Sequence, residues 1–287
     1  MKKLLKKTYN IIPFKKQLFA VLRIFPLSNS IIQHLSFIGI FKVKLTKTCS
    51  IKMFHFGYQL ENELFWKGIN GWEKESIKLW IKEASKSFTI IDIGANTGVY
   101  SLIAKSVNPD SQVYAFEPVV RVFKKLEKNV QLNRFNIKIF CEAVSDKTGT
   151  AVIWDYKFDH EYAASLAKPE NITGAQISYE IHTISLNDFI EKNNITKIDL
   201  IKIDVETFEP QVLEGYSKYF ALHKPKLLIE VLYNDIGEKI QTFLEKSGVE
   251  YDYFYIDEEK GLIKQDKIAR CSDKYFNYFL MPKTISL

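Results

Sequence analysis

Ile90-Ile91-Asp92-Ile93-Gly94-Ala95-Asn96-Thr97-Gly98-Val99-Tyr100-Ser101 is the stretch that decides the fold class. Its first half is an apolar run with the length of a buried strand, Gly94 ends that strand, and a helix is expected over 98–106. A chain that turns this sharply needs small residues or residues tolerant of a positive φ. Gly94, Asn96 and Gly98 supply them, Asn being the non-glycine residue that best accepts that conformation. The free N–H groups at the helix start then face a ligand. A nucleoside cofactor suits such a turn. The dinucleotide alternative requires Gly-x-Gly-x-x-Gly so that backbone can touch a pyrophosphate, and the middle glycine is absent here. Asp92, at the strand end, favours a cofactor with a positively charged amino-acid moiety over a diphosphate.

Outward from this turn the pattern alternates strand and helix. Strands are expected at 88–93, 111–116, 136–141, 198–203, 226–232, 250–257 and 275–282, with helices at 98–106, 119–133, 209–215 and 236–247. Continuous apolar runs such as Leu227-Leu228-Ile229 imply strands buried on both faces, as in a mostly parallel sheet covered by helices. An insertion follows the third of these strands, with a strand at 150–154, a loop over 156–174, a strand at 176–184 and a helix at 186–193. The loop's length suits a lid or a mobile connection. A polar stretch between the last two strands suggests a hairpin-like, antiparallel finish.

Acidic residues recur at successive strand ends. Glu117, about 20 residues after the glycine turn, is placed to accept hydrogen bonds from both hydroxyls of a ribose. Pro118 then starts the next helix. Glu142 and Ala143 follow the third strand, where they border an adenine ring. Asp204 and Glu206 leave the end of a further buried strand, on the edge of the sheet where ligands of open α/β sheets bind. Glu209 is expected to be a solvated acid complementing a helix dipole.

The whole chain of 287 residues suits one large α/β domain with additions. Its net charge of +6 is unevenly spread. Residues 1–50 hold ten Lys or Arg and no acid, leaving 30 basic against 34 acidic groups in the remainder. Residues 1–60 are therefore read as a basic N-terminal extension and 61–287 as the catalytic domain. Basic residues interrupt the apolar stretch that follows Lys2, Lys3, Lys6 and Lys7, so neither a signal peptide nor a membrane span is expected. Residues 14–25 form either an interfacial helix against an anionic membrane or, the simpler expectation, a helical cap packed on the domain. Short strands are expected at 41–45 and 51–56 and a helix at 72–85. Cys49, Cys141 and Cys271 show no metal-ligand spacing, which suits reduced, buried thiols in the cytoplasm.

Several motifs, taken together and in order, resemble the FkbM-type methyltransferases. They are Asp92-Ile93-Gly94-Ala95-Asn96-Thr97-Gly98-Val99-Tyr100-Ser101, Ala115-Phe116-Glu117-Pro118 and Ile201-Lys202-Ile203-Asp204-Val205-Glu206. Pro225-Lys226-Leu227-Leu228-Ile229-Glu230-Val231 and Asn277-Tyr278-Phe279-Leu280-Met281-Pro282 complete the set. The likeness spans about residues 60–283. It implies a class I methyltransferase (Rossmann-like) fold, with a seven-stranded, mostly parallel sheet, helices on both faces and the final strand inserted antiparallel. It also implies S-adenosylmethionine as cofactor and methyl transfer to oxygen, typically a hydroxyl of a sugar, polysaccharide or glycolipid, or a related metabolite. By the resemblance, Asp92, Gly94, Asn96 and Gly98 hold the methionine part, Glu117 the ribose, and Ala143 with its neighbours the adenine. Asp204 and Glu206 match the acidic pair near the methyl group and the acceptor. Thr207 stands where the family usually has glycine, and so narrows the space beside the acceptor.

Methyl transfer from a sulfonium is an in-line displacement, and a hydroxyl acceptor benefits from a nearby base. Glu206 or Asp204 is the expected base, ahead of His160 and His182, and Glu230 is a candidate acceptor-binding group alongside Glu206 and Thr207. No dedicated metal motif is present, although Asp204 and Glu206 with a third ligand would suit Mg²⁺. Two other classes remain open. One is a non-catalytic cofactor-binding module in a glycan-assembly complex. The other is an RNA methyltransferase, against which stand the missing aromatic platform and the missing Asn-Pro-Pro-Tyr-like motif. The expected partners are a small-molecule or glycan acceptor and, through residues 1–40, the inner face of an anionic membrane or a lipid-linked glycan, with no nucleic acid.

Overall fold

The computed structural model describes residues 14–25, 27–156 and 176–283. Its first part holds helices α1 (Lys15–Leu22) and α2 (Asn29–Ile32), an antiparallel hairpin of β1 (Gly39–Lys44) and β2 (Ser50–His55), and helices α3 (Gln59–Lys67) and α4 (Lys74–Ala84). The alternating part begins with β3 (Thr89–Ile93), α5 (Val99–Val107), β4 (Gln112–Phe116), α6 (Val120–Asn133) and β5 (Ile137–Phe140). An insertion of β6 (Ala143–Ser145), β7 (Gly149–Tyr156), β8 (Gln176–Ser185) and α7 (Leu186–Asn193) follows. The chain then continues through β9 (Leu200–Ile203), α8 (Glu209–Glu214), α9 (Ser217–His223), β10 (Lys226–Glu230) and α10 (Asn234–Ser247). It closes with β11 (Tyr251–Asp257), β12 (Gly261–Gln265) and β13 (Asn277–Pro282).

The main sheet has the order β12-β11-β13-β10-β9-β3-β4-β5. Pairs from β10 to β5 are parallel, and β13 lies antiparallel between β10 and β11. That insertion of the last strand is the class I methyltransferase arrangement, so the fold implied by the motifs is the fold observed. The sheet has eight strands where seven were expected. The extra one, β12, is a largely exposed edge strand paired only with β11, so its sequence carries no apolar run that would reveal it.

Alternation along the central strands explains why the runs are continuously apolar. Ile90, Val113, Leu200 and Leu228 point to one apolar cluster, and Ile91, Ile93, Ile201, Ile203, Leu227 and Ile229 to the other. The same parity puts Asp92 and Lys202, partners in the β3–β9 register, side by side on the first face. There α5 and α4 cover them. The insertion makes a separate sheet of order β6-β8-β7, whose Ile153 and Ile181 pack with Val119, Val122 and Ala143. Except for its first residue, the loop expected over 156–174, including His160, lies outside the described residues.

The N-terminal segment joins the first cluster. Phe19 and Ile32 are buried with Phe41, Phe65 and Ile90, and the Phe19 ring lies 5.6 Å from that of Trp66. Among the described residues no helix is long and apolar enough to cross a membrane. The cysteines are less buried than expected. Cys49 and Cys141 are half-buried, and Cys271 is exposed in the irregular segment before β13, where its Sγ lies 3.0 Å from the Tyr278 hydroxyl.

Candidate active site

The carboxyl ends of β3, β4, β9 and β10 open into a cavity of about 340 Å³. Gly94 leaves β3 at φ 76° and its N–H donates to Phe116 O at 3.0 Å, which ties the first turn to the end of β4. A Cβ at Gly94 would sit 1.8 Å from the Asp204 carbonyl oxygen, so no side chain fits between the two strand ends. Asn96 takes the positive φ expected of it, at 51°. Its N–H donates to Glu117 Oε2 at 3.0 Å, and Val119 N–H donates to Glu117 Oε1 at 2.9 Å. These bonds fix the Glu117 carboxylate at the cavity wall. Burial nonetheless pushes its carboxyl up to about 7, against the pull of the two N–H donors.

A charged cluster adjoins the cavity, with Asp204 and Glu73 lining it. Lys202, 4% exposed, donates to Asp204 Oδ2 at 2.7 Å, and its ammonium stands 4.8 Å above the Tyr100 ring. Asp92 is fully buried and accepts from Ser101 Oγ at 2.5 Å. Tyr100 donates its hydroxyl to Glu73. Burial alone would lower the Lys202 ammonium, but the carboxylates of Asp204, Asp92 and Glu73 outweigh it and push it up. Burial raises Asp92 and Glu73 in spite of Lys202. Three carboxylates thus share one lysine, an arrangement short of positive charge.

The lining contributed after β9 and at the end of β10 is also acidic. Burial and the Asp204 charge push Glu206 up to about 7. Glu230 is driven well above the usual carboxylate range by burial and by Asp204, Glu206, Glu209 and Glu73, and its Oε2 has no hydrogen-bond partner. Glu206 and Thr207 both have positive φ, 55° and 79°. For β-branched Thr207 that is a strained conformation, which explains physically why glycine suits the position. Glu209 is not the solvated acid expected. It is 1% exposed and accepts from Val205 N at 3.1 Å and Thr207 N at 3.3 Å, so it clamps the turn that carries Glu206.

Of the residues singled out in the sequence, Gly94, Asn96, Glu117, Glu142, Ala143, Asp204, Glu206 and Glu230 line this one cavity. Asp92, Gly98 and Thr207 are not among its lining residues. Asp92 instead lies beside Lys202 in the strand register and accepts from Ser101. Gly98 stands where α5 meets α6, and a Cβ there would come within 2.5 Å of Leu126 Cδ1. His182 is exposed on β8. Among the described residues no group of three or more His, Cys, Asp or Glu converges to hold a metal ion, so Mg²⁺ has no support.

The sequence reading missed the wall built by Tyr58, Trp72 and Glu73. Tyr58 accepts from Lys125 Nζ at 2.6 Å. Glu73 precedes α4 in a left-handed conformation, φ 37° and ψ 55°. Glu258, from the β11–β12 turn, fixes the start of that helix by accepting from Glu75 N and Ser76 Oγ, both at 2.5 Å. The only local signal was an acid before a helix, and that has a simpler explanation in the helix dipole.

A parallel sheet with an inserted antiparallel last strand, and a cavity at the strand ends walled by a glycine turn and a buried acid, define an S-adenosylmethionine-dependent methyltransferase. The sequence model described as the methyltransferase FkbM domain matches residues 92–255, and the chain belongs to that family. It is similar to the hexuronic acid methyltransferase AglP of Haloferax volcanii, at 26% identity over 60% of this chain and 67% of that protein. It is also similar to the 31-O-demethyl-FK506 methyltransferase FkbM of Streptomyces tacrolimicus, at 30% identity over 44% of this chain and 58% of that protein. The crystal structure of methyltransferase FkbM from Methylobacillus flagellatus KT shares 16% identity over 68% of this chain and 43% of that one, with a TM-score of 0.46. The chain therefore spans less than two thirds of the length of the second relative and of the solved protein.

Proposed function

We propose that this protein transfers a methyl group to a hydroxyl of a sugar, glycolipid or related polyhydroxylated metabolite in the cytoplasm. The observation that carries this reading is one cavity lined together by Glu117, which follows β4, and by Asp204, Glu206 and Glu230 from the ends of β9 and β10. The residues fit S-adenosylmethionine. Gly94 lets backbone close on the ligand, Glu117 is anchored to accept from ribose hydroxyls, and Glu142 with Ala143 borders the adenine. The cluster of Glu73, Asp92 and Asp204 around Lys202 lacks positive charge, which an amino-acid ammonium and a sulfonium would bring. When bound, the cofactor supplies an electrophilic methyl group on positively charged sulfur.

The chain's own part is to orient and to accept a proton. The acceptor hydroxyl would lie against Glu206 and Glu230, and Glu206 would take its proton as the methyl group is transferred. A carboxylate poised near 7 is matched to that task at neutral pH. The sugar and O-methyl acceptors in the names of the two relatives support a hydroxyl acceptor. Incubating the protein with radiolabelled S-adenosylmethionine and separate pools of glycans, lipid-linked sugars and RNA tests this. Label is expected in a sugar pool, as a base-stable ether. Label in RNA, or cofactor binding with no transfer to any pool, would overturn the assignment.

A further inference from the structure

Helix α1 carries apolar side chains on two sides, and the core uses one. Phe19 and Leu22 face inward against the first cluster. On the other side of α1, Leu18 and Val21 are exposed, as are Phe14 at its N-cap and Ile24 and Phe25 in the turn that follows, Ile24 by 79%. A helix serving only as a cap would carry polar residues on its outer side. Five large apolar side chains held in water within twelve residues are a standing cost that a partner would remove.

The charged residues of α1 and the turn after it are all basic. They include Lys16 and Arg23, and the first acid in the chain is Glu61. Basic residues beside exposed apolar side chains of a helix match the boundary between anionic headgroups and acyl chains. A second copy of this chain would bring the same positive face and repel it, and nucleic acid would leave the apolar side chains in water.

We propose that α1 docks this protein on an anionic lipid bilayer, with Phe14, Leu18, Val21, Ile24 and Phe25 entering the interface and Lys16 and Arg23 meeting the headgroups. The docking does not depend on the acceptor. The test is flotation of the full chain with phosphatidylcholine vesicles, with and without phosphatidylglycerol. Binding is expected to be at least about tenfold stronger to the anionic vesicles and to weaken as salt is raised. A Leu18→Glu, Val21→Glu, Phe25→Glu variant should lose about tenfold or more of that binding while its melting temperature and cofactor affinity stay unchanged. Should the glutamates lower the melting temperature, serines at the same three positions give the same readout without added charge. Equal binding by the variants, absence of vesicle binding by the full chain, or a dimer that the variants dissociate would each overturn the proposal.

Discussion

The two walls of the cavity are built in different ways. One wall comes from turns at Gly94, Glu117 and Asp204, each directly after a buried strand that fixes it. The facing wall comes from Tyr58, Trp72 and Glu73, which lie before the family-matched residues and are held by distant groups, Lys125 on α6 and Glu258 beyond β11. A change on the first wall should cost cofactor binding, and a change on the second should cost less.

The largest effect is expected at Gly94. A methyl group there would strike the Asp204 carbonyl, so Gly94→Ala should remove measurable cofactor binding by calorimetry and lower the melting temperature. Next, Glu117→Ala should weaken S-adenosylmethionine by on the order of 100-fold, since two hydrogen bonds to a charged acceptor are lost. The pH dependence follows from the same residue. Ribose hydroxyls donate to the ionised carboxylate, and burial holds its titration at about 7 in the free protein. Affinity should therefore be flat above that pH and fall as pH drops below it, with a shallower slope in Glu117→Ala; the full slope in that variant would remove the ribose assignment.

The facing wall should respond more weakly. Glu73→Gln keeps the Tyr100 hydrogen bond in reach and removes one of three carboxylates around Lys202, so a loss of about tenfold in cofactor affinity is expected. A loss as large as that at Glu117 would erase the distinction between the walls. Smallest is Thr207→Gly, which relieves a left-handed β-branched residue. It should stabilise the chain by about 1 kcal/mol or less, read as a small rise in melting temperature, with turnover retained.

The same contrast decides what was legible in the sequence. That Gly94, Glu117 and Asp204 would gather at one edge was readable because they follow buried strands directly, and strand ends of a parallel sheet share one edge. Glu73 was not readable, because its place in the cavity depends on a left-handed backbone residue and on a cap from Glu258, 185 positions away. Glu209 was misjudged for a related reason. Its position at a helix start suggested solvent, while the turn it clamps exists only once Glu206 and Thr207 adopt positive φ. The edge strand β12 escaped because an exposed strand leaves no apolar run.

The most direct test of the account separates binding from chemistry in Glu206→Gln, which keeps the side chain's shape and removes the base. Cofactor affinity by calorimetry should stay within a few-fold of the parent, while turnover on the identified sugar acceptor falls by about 10²-fold or more. Retained turnover would contradict the proposed role of Glu206 and move the base elsewhere in the cavity.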